Sequence, residues 1–149
     1  MVANGKPREP APQVILQSPV LPSIEPMGER IAQFDWWRTS LGPLSRWPAS
    51  LRIAVDMMHL SPFPCAVVWG ADLCVVHNDG YRALRALPDA LGMAFDTLWS
   101  DIWPAVGPWV FKALEGHSNF VEDPPLRIVR SEGAEPLWCA FGYAPLHDE

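Results

Sequence analysis

The sequence lacks several features that whole classes of protein require. No run of about 18 apolar residues, the length of a membrane-spanning helix, occurs in its 149 residues. The 11 basic residues are scattered and the net charge is −6, which argues against nucleic acid as a general partner. The chain has three cysteines, an odd number, and their spacing is not that of metal ligands. This pattern indicates that the cysteines are small core residues of a protein in a reducing compartment. We therefore expect a soluble, cytoplasmic protein without a structural metal.

Catalytic signatures are missing as well. The sequence contains no nucleophile elbow, no glycine-rich phosphate loop and no paired-carboxylate motif. The sequence has four histidines, and no two of them have the i, i+4 spacing of a zinc-binding helix. They are His59, His77, His117 and His147. We expect that this chain is not an enzyme.

The apolar content is high enough for one packed domain. Apolar residues make up 49% of the chain, and tryptophan alone accounts for eight positions. Residues 1–26 hold six of the 17 prolines and predict a flexible arm. Within that arm the stretch QVILQS, residues 13–18, has the composition of a β-strand.

Apolar spacing predicts two helices in the first part of the domain. Ile31, Phe34 and Trp37 recur at three-residue steps and fit one face of a helix over 28–38. A second helix over 48–60 is apolar around a wide arc, so it is expected to pack against something large.

A β-hairpin and a capped helix follow. The apolar runs 67–69 and 73–76 flank Gly-Ala-Asp and predict two antiparallel strands. Asn78 is a good N-cap for a short helix that carries Tyr81 and Leu84 on one side.

The remainder predicts short helices and then strands. Asp96 is expected to cap one turn, and Pro104 and Pro108 confine the next helix to about 105–115. Strand-like segments around Leu126, Ile128 and 136–146 flank a turn at 131–134. Strands grouped at both ends of a helical middle predict an α+β fold with an antiparallel sheet.

Two groups of side chains have both a functional and a purely structural interpretation. Asn78, Asp79 and Tyr81 either orient and line a ligand pocket or form a helix cap and a core tyrosine. Four tryptophans either frame an apolar cavity for a flat ligand or fill the core: Trp69, Trp99, Trp103 and Trp109.

Two longer motifs resemble the PAS sensor domains at the N-terminus of bacterial histidine kinases. WRTSLGPLSRWPASLR runs from Trp37 to Arg52, and WGADLCVVHNDGY runs from Trp69 to Tyr81. Shorter matching pieces continue as far as YAPLHDE at 143–149, so the resemblance covers residues 28–149. The position before Asn78 is more often tyrosine in such domains and is His77 here.

The resemblance implies a PAS-like antiparallel sheet flanked by short helices. Residues 27–62 would be an N-terminal helical cap and residues 63–149 the PAS core. The family sheet has five strands, and only four are accounted for. The missing last strand would pair between the first and the fourth. Three explanations stay open: the chain is a fragment of a longer protein, a neighbour donates a strand, or QVILQS fills the gap.

The resemblance also implies a function. The chain would be a signal-input module of a two-component sensor histidine kinase, binding a small molecule or a partner and relaying a change in packing to a downstream kinase domain. The residues expected to line the ligand pocket are Trp69, His77, Asn78, Tyr81, Trp99, Trp103, Phe141 and Tyr143. His77, if half-exposed, would also confer pH sensitivity.

The cofactor is not identified by the resemblance. Haem is not expected, because His117 follows the helix-ending Gly116. A flavin site of the LOV type is not expected either, because the Asn-Cys-Arg-Phe setting of its cysteine is absent.

The alternative is a ligand-free dimerisation module. PAS domains often form homodimers through the sheet face and the N-terminal helix. The residues expected at that interface are Ile31, Phe34, Trp36 and Trp37.

Overall fold

The computed structural model describes residues 26–85, 90–122 and 140–147. Two helices come first, then a pair of short strands, three further helices and a second pair of short strands. Its elements are α1 (Met27–Gln33), two 3-10 turns (Trp36–Arg38 and Leu44–Arg46), α2 (Ala49–Leu60), β1 (Ala66–Trp69), β2 (Cys74–His77), α3 (Asp79–Arg85), α4 (Phe95–Leu98), α5 (Trp103–Leu114), β3 (Asn119–Val121) and β4 (Phe141–Tyr143).

The strands within these ranges form two small antiparallel sheets, β1 with β2 and β3 with β4. The prediction of mixed helices and antiparallel strands is confirmed, while the five-stranded PAS arrangement stays a prediction. The predicted strand around 126–128 and the turn at 131–134 lie outside the described residues, as does QVILQS at 13–18. Strand β3 was not predicted.

The first helix is shorter than the helix predicted over 28–38. It ends at Gln33, because Phe34 adopts an extended backbone. The indole of Trp36 then turns back and donates a hydrogen bond of 2.7 Å to the carbonyl of Ile31. That bond satisfies a carbonyl left without a helical partner at the end of α1, so the break is stabilised by the side chain that follows it.

Helix α2 confirms the second predicted helix. Leu51, Val55 and Met58 form its buried stripe. Pro48 occupies the N-cap position, one residue before the first helical turn in which it was expected.

The hairpin also confirms its prediction. Its register pairs Val67 with Val76 and Trp69 with Cys74. Because side chains alternate along a strand, the hairpin has two apolar faces. Val67 and Val76 belong to a cluster with α1 and α2, whereas Val68 and Val75 belong to a cluster with α4 and α5.

Helices α4 and α5 differ from the predictions in detail. Ala94, not Asp96, is the N-cap of α4, and the Asp96 carboxylate accepts a hydrogen bond from the N–H of the next residue. Helix α5 begins at Trp103 and contains Pro108, which was expected to limit it. A proline there removes one backbone hydrogen bond, and the buried stripe of α5 outweighs that cost.

Gly116 ends α5 as predicted. Its φ of 91° lies in the left-handed region that favours glycine. The N–H of Gly116 donates to Ala113 and the N–H of His117 donates to Lys112, which is the Schellman pattern.

Candidate functional site

Asn78 connects the end of α2, the start of β1 and the start of α3. Its Oδ1 accepts hydrogen bonds from the N–H of Cys65 (3.0 Å) and of Tyr81 (2.9 Å). Its Nδ2 donates to the carbonyls of Phe63 (2.8 Å) and Met58 (3.2 Å). The side chain is 3% exposed. Asn78 is therefore a helix cap and an anchor, and these bonds use its whole donor and acceptor capacity.

A row of aromatic rings begins beside this anchor. The His77 and Tyr81 rings are 5.7 Å apart between centroids, and the Tyr81 and Trp99 rings 6.2 Å. The indole Nε1 of Trp99 donates a hydrogen bond of 2.7 Å to the Tyr81 hydroxyl. The Tyr81 hydroxyl therefore has a protein partner rather than an open position facing a ligand.

Phe95 joins this row to three further predicted pocket residues. Its ring centroid lies 6.4 Å from Trp99, 6.2 Å from Trp103 and 6.2 Å from Tyr143. Tyr143 in turn contacts Phe141 at 5.5 Å. Phe95 was not predicted as a pocket residue, although its i, i+4 spacing from Trp99 indicates that both lie on one helical face.

His77 is fully buried, so the half-exposed position on which its pH sensitivity depended is not observed. Its Nδ1 lies 3.1 Å from the carbonyl oxygen of Asn78. A carbonyl accepts only, so this contact requires the proton on Nδ1.

A cavity of about 730 Å³ lies between α2, β1, α5 and the segment 142–147. Of the eight predicted pocket residues, Trp69 and Tyr143 line it. The principal apolar residues around it that the prediction missed are Met57, Met58, Val67, Phe95, Val110 and Leu114. The binding role of all eight predicted residues stays a prediction.

The described part of the cavity wall is mainly apolar. No charged residue occurs among the described residues that line it, and its polar side chains include Ser61, Cys65 and His147. Burial raises the pKa of the Cys65 thiol, and a hydrogen bond from the Ala66 backbone offsets part of that rise. The thiol is therefore neutral at pH 7, and the wall suits an uncharged molecule.

The residues expected at a dimer interface are divided between core and surface. Ile31 and Trp36 are buried inside the monomer, Phe34 is half-buried, and Trp37 is 70% exposed. The guanidinium of Arg46 lies 5.7 Å from the centre of the Trp37 ring. Only Trp37 presents a large apolar surface to solvent, and the interface itself stays a prediction.

A different apolar surface was not predicted. Ile53, Met57 and Leu60 lie at i, i+4 and i+7 on α2, with exposures of 59%, 70% and 82%, and Met57 also borders the cavity. Phe63, just after the helix, is 73% exposed. We call these four residues the α2 stripe.

Metal ligands do not cluster in the part of the chain that the structure describes, where no group of three suitable side chains occurs. None of the helices in the described ranges is long and apolar enough to cross a membrane. No family model, curated protein or solved structure matches the chain.

Proposed function

We propose that the chain is a PAS-type sensory module of a two-component sensor histidine kinase that binds a small, neutral, apolar molecule in the cavity. The observation that supports this is the cavity itself. Its volume of about 730 Å³ falls within the range of small-molecule sites, and its described lining includes no Asp, Glu, Lys or Arg. The motifs that resemble PAS domains supply the signalling context.

The position of the cavity suggests how binding would be relayed. Met58 and Val67 belong to the cluster around α1 and α2, whereas Phe95 and Val110 belong to the cluster around α4 and α5. A molecule in the cavity would contact both clusters at once. Any difference in its affinity for two packings of these clusters would shift the balance between them, and a downstream domain could respond to that shift.

The test combines native mass spectrometry of the protein as purified with titration of a neutral fluorescent probe, N-phenyl-1-naphthylamine. Ala54 lines the cavity, so Ala54→Trp fills part of it. Ala83 is exposed on α3, and Ala83→Trp is the matched control. We expect the first variant to weaken probe binding by about tenfold or more and the control to leave it unchanged. Equal binding by both variants would exclude this cavity as the site.

The second candidate is a dimerisation module, and the α2 stripe favours it. Contiguous exposed apolar residues on one helix face are typical of interaction surfaces. Deleting residues 1–40 would not test this, because Met27, Ile31 and Trp36 would be lost from the core.

Point variants separate folding from association. Ile53→Lys with Leu60→Lys places two charges on the stripe, whereas Ala83→Lys adds a charge elsewhere. Sedimentation should show a dimer that the double variant dissociates and the control retains. A monomeric parent protein at every concentration would eliminate this candidate.

A further inference from the structure

The outer edge of β1 carries backbone groups that β2 does not use. The N–H of Asn78 donates to the carbonyl of Cys65, so these opposite residues form a hydrogen-bonded pair. Such pairs alternate along an antiparallel ladder, which makes Val67 and Trp69 the next bonded positions on β1. The N–H and the carbonyl of Val68 therefore both point away from β2, to the outer edge.

The corresponding groups on the outer edge of β2 have partners. Val75 lies opposite Val68. Its N–H donates to Met93 and its carbonyl accepts from the N–H of Gly92, both at 2.9 Å. Both outward groups of Val75 are thus satisfied by the chain itself. Within the described ranges, no backbone group bonds to Val68 in this way.

The outer edge of β1 faces the cavity. All of residues 66–70 line it, as do residues 142–147. Because side chains alternate between the two faces of a strand, a cavity on one face would be lined mainly by every second residue. Contact with every residue from 66 to 70 indicates that the cavity lies beside the edge of β1, where successive backbone groups are accessible.

An N–H and a carbonyl in this position favour a ligand that can bond to both. Their surroundings are mainly apolar, and Trp69, Phe95 and Tyr143 contribute aromatic rings to the described wall. A backbone group that loses water without gaining a partner costs free energy, so a wholly apolar molecule would bury the two Val68 groups unfavourably. A molecule with its own donor and acceptor replaces the lost bonds to water.

The two groups of Val68 belong to one residue and point the same way, which sets the arrangement that a ligand must match. In a cyclic amide, or lactam, the N–H and the carbonyl lie side by side in one plane. The lactam carbonyl can accept from the Val68 N–H while the lactam N–H donates to the Val68 carbonyl. A charged ligand is disfavoured, because the described lining includes no Asp, Glu, Lys or Arg to pair with it.

We propose that the outer edge of β1 recognises a neutral cyclic amide, with the N–H and the carbonyl of Val68 as its hydrogen-bonding partners and the apolar wall around its ring. This assignment rests on the proposed function, in which the cavity binds a small molecule, and it adds the chemical group that the molecule carries. Backbone groups rather than side chains then select the ligand.

The test compares two isomers as ligands of the full chain. In 4-methyl-2-quinolinone the ring N–H lies beside the carbonyl, whereas 1-methyl-2-quinolinone carries its methyl group on the nitrogen and has no donor. We expect calorimetric titration to give a Kd about tenfold lower or more for the first isomer, because the second leaves the Val68 carbonyl without a partner. Ala54→Trp should weaken binding of the first isomer, and Ala83→Trp should not.

Amide hydrogen exchange, measured by NMR, locates the contact. Saturation with 4-methyl-2-quinolinone should slow exchange of the Val68 amide by about tenfold or more, because that N–H gains an acceptor. The Val75 amide, already bonded to Met93, is the internal control for a general gain in stability and should change much less.

Two results would overturn this proposal and leave the proposed function standing. One is binding of N-phenyl-1-naphthylamine in the cavity while the two isomers bind equally or not at all. The other is an unchanged Val68 exchange rate when 4-methyl-2-quinolinone is bound, or a rate that slows only as much as that of Val75. Failure of all three molecules to bind would overturn both proposals together.

Discussion

The two outer edges of the β1–β2 hairpin have different neighbours among the described residues. β2 is covered by the segment 92–95, which follows it closely in sequence and uses its outward backbone groups. β1 borders a cavity instead. An open strand edge invites pairing, so proteins usually cover it or keep it for a partner. Among the described residues, backbone hydrogen bonds from 92–95 therefore fix the outer edge of β2, and no such bonds fix the outer edge of β1.

Asn78 holds the start of the open-edged strand, and its removal should have the largest effect. Asn78→Ala leaves the buried N–H groups of Cys65 and Tyr81, and the carbonyls of Phe63 and Met58, without this partner. Since each buried unsatisfied group costs about 1–3 kcal/mol, we expect unfolding by urea to show a loss of about 4 kcal/mol.

Asn78→Ser is the comparison variant. Its hydroxyl can still cap the N–H of Tyr81, while the bonds to the carbonyls of Phe63 and Met58 are lost, so a smaller loss than in Asn78→Ala is expected. A loss below about 1 kcal/mol in Asn78→Ala would contradict the anchoring role, since that is the contribution of a single ordinary hydrogen bond.

A substitution at Gly92 tests how strongly the segment 92–95 holds the outer edge of β2. Its φ is 74°, and a Cβ there would lie 2.9 Å from the Phe34 ring and from the methyl group of Thr39. Gly92→Ala combines backbone strain with overpacking and should lower the free energy of unfolding by about 3 kcal/mol.

Gly70 provides the comparison for that substitution. Its φ of 76° is nearly the same, but a Cβ would meet nothing within 4 Å. Gly70→Ala should therefore show the backbone strain alone, about 1 kcal/mol. Equal losses in the two variants would mean that the contact of Gly92 with Phe34 and Thr39 does not constrain the covered edge.

Local sequence signals predicted the elements that depend on neighbouring residues. The buried face of α2, the hairpin and the Asn78 cap follow from periodicity and turn chemistry, which act over a few residues. The end of α1 was missed because it depends on the indole of Trp36 bonding back to Ile31, a contact between side chain and backbone that no propensity encodes.

The candidate site was predicted less completely for a similar reason. Aromatic residue types pointed to Tyr81 and Trp99, which the structure brings together. The cavity, however, is formed by residues distant in sequence, such as Met57, Val110 and Leu146. Their side chains are ordinary core residues, and only the packing of separate elements places them around one space.

The reactivity of two cysteine thiols compares the accessibility of the two strands. Alkylation of these thiols is expected to affect the fold least among the changes considered. Cys74 lies on β2 and is 3% exposed, whereas Cys65 is half-buried beside the open edge and lines the cavity. Burial raises the pKa of both thiols. For Cys74, hydrogen bonds from Thr39 and Ser40 offset part of the rise. We expect iodoacetamide to alkylate Cys65 first, with the modified peptides quantified by mass spectrometry.

The pH profile of this alkylation follows from the direction of the shift. The thiolate is the reactive form, and a raised pKa keeps it scarce at pH values where a free cysteine, with a pKa of about 8.5, is already half ionised. The alkylation rate of Cys65 should therefore continue to rise with pH after that of a free cysteine has levelled off. Equal rates for Cys65 and Cys74 in the folded protein would show that the two edges are equally accessible, and the contrast between a closed and a receptive edge would then be wrong.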